Sequence, residues 1–422
     1  DEMVCNAELP AEQPDMSSRH FPGFGTVMRA HFGTPQETFL LFRMGHQHEH
    51  YENEQGEIVF YAKGAPLLLD FGSLYQPMMG RPWLHNRVSL NHKTDWYSLG
   101  EISQWSLLDA ADSALGSMTI DRLYPIPEDP KTPMPANSAP PAEYITPVTW
   151  TRQVTLVKHE QPAGPHYAVV RDTMRGDGDD FHEFSLWGLA TGVQCAGNTA
   201  RYAGQHGVDL TVTVLDPAKP EFTTGQYGHE FLYGPMVHPW RAVNGDKTFA
   251  EVQHFIRMQR TDHQGYFTVL FPHLPNETPP VFTPWANGAG ATAVLNGERH
   301  VVICADAPGR YAGGGITFDG QRALVRDGNG QTLLALLAGT MLKAGGYAIA
   351  ANGPLAVTFA NTGITGEANF AAAGAVQLSF PEAHGMNAFL VVDGKETPLD
   401  ATVGPDSLKV MLPKGKSTFV IQ

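Results

Sequence analysis

Cysteine is scarce in this chain of 422 residues: Cys5, Cys195 and Cys304 are odd in number and far apart. They support neither a disulfide framework nor a thiolate zinc module, and buried or incidental thiols are the expected reading. Positive charge is also thin. Lysine and arginine total 28 against 43 acidic residues, a formal net charge of -15. That balance argues against nucleic acid as a partner and gives a polyanion no global attraction, so any anion site must be a local patch of Arg, Lys, His or metal. Long apolar runs are missing too. The longest candidate, 333–342, is interrupted by Gly339 and Thr340, so no membrane span is expected. No signal-peptide pattern is present, and a start at Asp1 without methionine suggests processing or excision from something longer.

What the chain does have is 42% hydrophobic residues, 44 glycines and 32 prolines. Many short β-like runs lie between turn signals, which points to an all-β, globular architecture. Strands are expected at 25–31, 38–43, 57–62, 65–70 and 87–91, then at 149–158, 167–172, 183–189, 210–215, 251–258 and 266–271. The stretch 109–115 reads as a helical turn or a loop, and the proline-dense 125–147 as a surface excursion. After about residue 300, histidine nearly vanishes and short strands alternate with glycine turns, as a smaller sandwich would. The expected organisation is a large antiparallel β-sandwich over 1–300 and a small one over 301–422, without a strict repeat.

The densest chemistry lies in His48-Glu49-His50-Tyr51-Glu52. Residues two apart on a strand share a face, so His48 and His50 can address one point in space. The run 66–69 then delivers Asp70, and His85 follows after a loop. Two histidines and a carboxylate on neighbouring strands suit zinc, leaving the second histidine of the pair free for proton transfer. Calcium, which prefers six or more oxygens, fits less well. A lone histidine is more often structural than functional; three on adjacent segments reverse that balance.

The order of these features resembles the C-terminal β-sandwich region of the heparinase II/III-like polysaccharide lyases. Val27-Met28-Arg29 and Phe42-Arg43-Met44-Gly45 look like the strands leading to that family's metal site, and His48-Glu49-His50-Tyr51-Glu52 like its His-x-His-aromatic-acid element. Phe60-Tyr61-Ala62-Lys63-Gly64, Leu69-Asp70-Phe71-Gly72 and His85-Asn86-Arg87-Val88 follow, then Trp150-Thr151-Arg152-Gln153 and Val169-Val170-Arg171-Asp172. The similarity spans roughly residues 20 to 275. Two departures stand out. About two extra residues separate Glu52 from the strand at 56–62, and Arg87 occupies a position where the family usually has a small hydroxyl residue.

The resemblance implies β-elimination on a uronate glycan. A base removes the proton beside the sugar carboxylate, an acid protonates the departing glycosidic oxygen, and positive charge stabilises the enolate-like carboxylate. By this resemblance His48 is the proton-transfer residue, and His50, Asp70 and His85 hold one zinc ion that mainly fixes strand geometry. Arg81 and Arg87 would meet the substrate carboxylate, unless they are merely solvated loop cations. His46, two before His48, would also face the substrate and is the alternative base; His92 is the alternative to His85. The implied partners are an acidic polysaccharide and an upstream α/α-toroid that supplies the cleft's other wall and a catalytic tyrosine, in a secreted or periplasmic setting. His229-Glu230 near Tyr227, and His238-Pro239-Trp240, could form a sugar platform, with ordinary packing the better reading.

Two rivals remain. A metal-dependent cupin would use His48, His50, Glu54 and His85, but would account for only about a hundred residues of a strand pattern that continues to residue 420. A non-catalytic carbohydrate-binding or structural module, with the metal stapling strands, is the other.

Overall fold

The computed structural model describes residues 16–46, 54–70, 81–126, 141–176, 181–226, 252–262, 264–381, 383 and 385–422. It is an all-β chain, a large antiparallel sandwich followed by a smaller one. The only helical turn among the described residues is the three-residue segment Pro82–Leu84. No helix there is long and apolar enough to cross a membrane.

Alternation builds the first layer. Strands Gly25–Ala30, Thr38–Arg43, Ile58–Ala62 and Ala65–Leu68 pair in sequence order. Their register aligns Met28, Leu40, Phe60 and Leu68 in one row, and all four are fully buried. Side chains two apart share a face, so this row puts one side of four strands into the core. The second layer runs from Gly100–Leu107 through Ala111–Leu123, Glu143–Val157 and Tyr167–Arg175 to Phe267–His273 and Asp209–Asp216. Strand His182–Ala196 joins the layers. Its first half pairs with Gln253–Arg260 and its second half with Thr199–Gly204, with an irregularity between Ala190 and Gly192. A bulge is the usual way one strand turns from sheet to sheet.

Two sequence expectations are corrected. The stretch 109–115 is no helical turn: Ala111–Leu123 is a 13-residue strand. Its small residues fit because both faces are covered. Ala114 joins the core of the large sandwich, while Ala111 joins a core shared with the second sheet. The surface excursion ends five residues early, since strand Glu143–Val157 already includes Pro147. The register slips between Ile120 and Arg122, opposite 144–148, and such a slip tolerates a proline that cannot donate to the ladder. Residues 127–140 lie outside the described residues.

The second strand network starts at Thr283, ahead of the change in composition near 300. It packs on the large sandwich through a common core that includes Leu108, Tyr167, Val169, Cys304, Leu324 and Ala335.

Candidate metal centre

Three side chains converge where the first-layer strands end. His85 Nδ1 lies 2.8 Å from Asp70 Oδ1 and 3.5 Å from Glu57 Oε2, and one donor atom from each residue lies within 4.8 Å of the others. Glu57 directly precedes strand Ile58–Ala62, Asp70 lies just past Ala65–Leu68, and His85 caps the turn Pro82–Leu84. Glu57 and His85 are closed off from solvent, whereas 32% of the Asp70 side chain is exposed. That leaves one open side.

The backbone of all three is held from behind. Asn86 donates from Nδ2 to the Leu69 carbonyl at 3.1 Å and accepts from the Trp187 amide at 2.7 Å. Its own amide donates to Glu57 Oε1 at 3.3 Å. Gln253 Nε2 donates to the Asp70 carbonyl at 2.8 Å. Behind them, Arg152 donates from Nη1 to the carbonyls of Gly56 at 2.6 Å and Asn86 at 2.7 Å. One guanidinium nitrogen thus pins the residue before Glu57 to the residue after His85. Gly56 has φ +81, and a Cβ there would come within 2.1 Å of the Trp150 ring. Only glycine allows that approach.

Electrostatics bind the three together. Burial and the Asp70 charge push the Glu57 carboxyl up to about 8. Burial alone would raise Asp70 and lower His85, but their mutual attraction and hydrogen bonding win: Asp70 is held below the usual carboxylate range and His85 well above the usual imidazole one. With both carboxyls ionised and the imidazole neutral, as ligation would require, the set is two charges short, which one divalent cation would balance. Mixed oxygen and nitrogen donors at this spacing fit zinc better than calcium. The residues present therefore fit a metal.

Asp70 and His85, both expected from sequence, are brought together; Glu57 was expected only as the start of a strand. His48 and His50 lie outside the described residues, as does 227–240 with its histidines and aromatics. The ends of the segment carrying the two histidines are nevertheless fixed. The Gln55 side chain accepts from the Gly45 amide at 3.1 Å and donates to its carbonyl at 2.9 Å. Arg43 pairs with Glu54, which takes Glu54 away from the cupin-like set. His46 is exposed and lines a cavity of about 760 Å³ with His20, Met44, Glu101 and Trp105. His92 sits elsewhere, its Nε2 3.4 Å from Glu183, so His85 is the histidine of this cluster.

Arg81 and Arg87 do not meet the expectation of surface cations for a substrate. Both are fully buried. Arg87 pairs with Asp95, donates to the Val88 carbonyl at 2.9 Å and lies over the Trp150 ring at 5.1 Å. In that setting it supports the strand start and does not face solvent.

No family model matches the chain, and no curated protein matches its sequence. Solved structures do. A mutant of the heparan sulfate lyase HepC from Pedobacter heparinus superposes with a TM-score of 0.50 at 12% identity, covering 70% of this chain and 43% of that one. The unmutated HepC gives 0.49 at 11% identity, covering 69% and 43%. A heparinase III structure gives 0.46 at 13%, covering 75% and 43%. At these identities the likeness is one of fold, and the first of the three carries it. The chain thus has a heparinase-like β-sandwich region, and it spans less than half the length of the structures it matches.

Proposed function

We propose that this chain is the β-sandwich part of a polysaccharide lyase acting by β-elimination on a uronate-containing glycan, with a metal-stapled strand end beside the cleft. One observation carries this: Glu57, Asp70 and His85 meet at the strand ends to which Gln55 ties the segment bearing His48 and His50. Glu57, Asp70 and His85 would hold the ion, with His50 as the further ligand. When bound, the ion supplies fixed strand geometry.

His48 would move the proton. In the elimination a base takes the proton beside the uronate carboxylate, the electron pair forms the new double bond, and the glycosidic oxygen leaves with a proton from an acid. A histidine beside an anchored strand end can serve either transfer at neutral pH. His46, exposed in the neighbouring cavity with Glu101 and Trp105, would touch the sugar. The second proton-transfer group and the opposite wall would come from an upstream α/α-toroid. Arg81 and Arg87 drop out as carboxylate neutralisers because neither lines the cavity that holds His46, and the charge of the buried Arg87 is already paired with Asp95.

The competing reading, a non-catalytic module, is favoured by the same buried scaffold, since Arg152 and Asn86 would serve a structural staple equally well. Ultraviolet absorbance of unsaturated uronides, measured on a panel of acidic glycans with the toroid partner present, separates the two. Product formation that disappears in His48→Ala supports the lyase; binding without product supports the module.

A further inference from the structure

A second site lies away from the metal centre, where the edge strand Gly100–Leu107 faces the small sandwich. The cavity there is about 1030 Å³, at the upper end of the ~300–1,000 Å³ typical of small-molecule sites. Gln104, Trp105, Arg322, Thr340, Asn352 and Asn369 line it.

Arg322 is the anomaly. It is 1% exposed, and its Nη2 donates to Gln104 Oε1 at 3.0 Å. Nε and Nη1 have no hydrogen-bond partner, and no carboxylate among the described residues pairs with it. Burial pushes this guanidinium down to about 10, with only the Cys304 thiol opposing. A buried cation without a counter-ion is costly and is rarely kept without a use. Asp319, the carboxylate in the lining, lies 3.8 Å from Arg310 instead.

The backbone is irregular at both residues that meet there. Pairing of strand Ile316–Gly328 with Gln331–Ala344 slips on each side of Arg322. Pairing of Gly100–Leu107 with Ala111–Leu123 slips between Ile102 and Gln104. Bulges re-aim side chains and recur beside binding sites. At the rim, Trp105 is 48% exposed, and its ring stacks on His20 with centroids 3.9 Å apart. Trp105 also lines the cavity that holds His46, so the two spaces share a wall.

We infer that this inter-sandwich cavity binds an oxyanion-bearing saccharide unit, the Arg322 fork taking its carboxylate or sulfate and Trp105 offering a platform for a sugar ring. The fork geometry of arginine matches planar and tetrahedral oxyanions, and the amides and hydroxyls of the lining suit sugar hydroxyls. On a chain of net charge -15 this is the kind of local cationic patch an anionic ligand requires. The choice of a saccharide over other anions rests on the lyase reading; the anion preference does not.

Calorimetric titration of the chain with three probes tests it: tetragalacturonate, a sulfated carrageenan tetrasaccharide without uronate, and neutral maltotetraose. At least one anionic probe should bind, and maltotetraose at least about tenfold more weakly. Uronate binding alone identifies the carboxylate source, and carrageenan binding alone the sulfate. Arg322→Met should weaken that binding by at least about tenfold and keep or raise Tm, because an apolar side chain of similar length removes an uncompensated charge. If Arg322→Met does not fold, Trp105→Ala, at a half-exposed position, must weaken binding in its place. Zinc content of Arg322→Met should match that of the native chain, so failure of the metal centre does not mimic failure here. No binding, equal binding of maltotetraose, or binding that survives both Arg322→Met and Trp105→Ala overturns the assignment.

Discussion

Arg152 and Asp172 form a two-pronged, fully buried ion pair, with Nε to Oδ1 at 2.7 Å and Nη2 to Oδ2 at 2.9 Å. Trp150 Nε1 donates to the same carboxylate at 2.7 Å. The remaining arginine nitrogen is free to clamp Gly56 and Asn86. Breaking a buried pair from one side leaves an uncompensated charge and costs roughly 3–5 kcal/mol. Arg152→Met should lower unfolding free energy by about that amount in denaturant titration, and should loosen the metal centre. A loss below about 1 kcal/mol would show that the pair does not hold these segments.

Metal content gives the second prediction. Zinc should copurify at one per chain, and Asp70→Ala, Glu57→Gln and His85→Gln should each lower occupancy in elemental analysis while the circular dichroism stays that of β-sheet. Glu57 is the decisive position, because the sequence pattern does not single it out. Full zinc occupancy in Glu57→Gln would remove it from the ligand set.

Gly56 predicts a steric effect. Its φ of +81 and the 2.1 Å approach of a would-be Cβ to Trp150 leave alanine no room. Gly56→Ala should destabilise by more than about 1 kcal/mol, against the slight gain expected where alanine fits. Thermal melts of the two proteins decide it.

Acid sensitivity should come from two histidines far from the metal centre. Burial holds His166 down to about 4 and His300 down to about 3, against an ordinary 6.5. Both are therefore neutral in the fold and take up protons more readily when unfolded. Their contribution is full above about pH 6.5 and is lost as pH falls toward 4 and then 3, on the order of a few kcal/mol each. Urea midpoints should fall across that window, and His300→Phe should flatten the fall. An unchanged slope would assign acid sensitivity to other groups.

Legibility in the sequence followed the range of the interactions. Strands such as Thr38–Arg43 and Ile58–Ala62 declare themselves by alternation, a local signal. Asp70 and His85 were visible because each ends or follows such a run. Glu57 was not, since a carboxylate at a strand start reads as a solvated end; its burial depends on Asp70 and His85 arriving from elsewhere. Arg152 and Asp172 read as strand residues, and their role depends on which carbonyls they meet across the sandwich. Arg87 looked like a loop cation until Asp95, eight residues on, paired with it in the interior. Ala111–Leu123 was misread for a related reason: small residues say nothing of a strand until a second sheet covers their other face.

The proposed function assigns proton transfer to His48 in a uronate lyase. The most direct test measures unsaturated-uronide absorbance from an acidic glycan, with this chain joined to an upstream α/α-toroid, comparing native protein with His48→Ala at matched zinc content. The expected result is a loss of roughly 10²–10⁴-fold in turnover with zinc and Tm retained. Turnover within about tenfold of native, or zinc lost together with activity, would contradict the assignment of His48 as the proton-transfer residue.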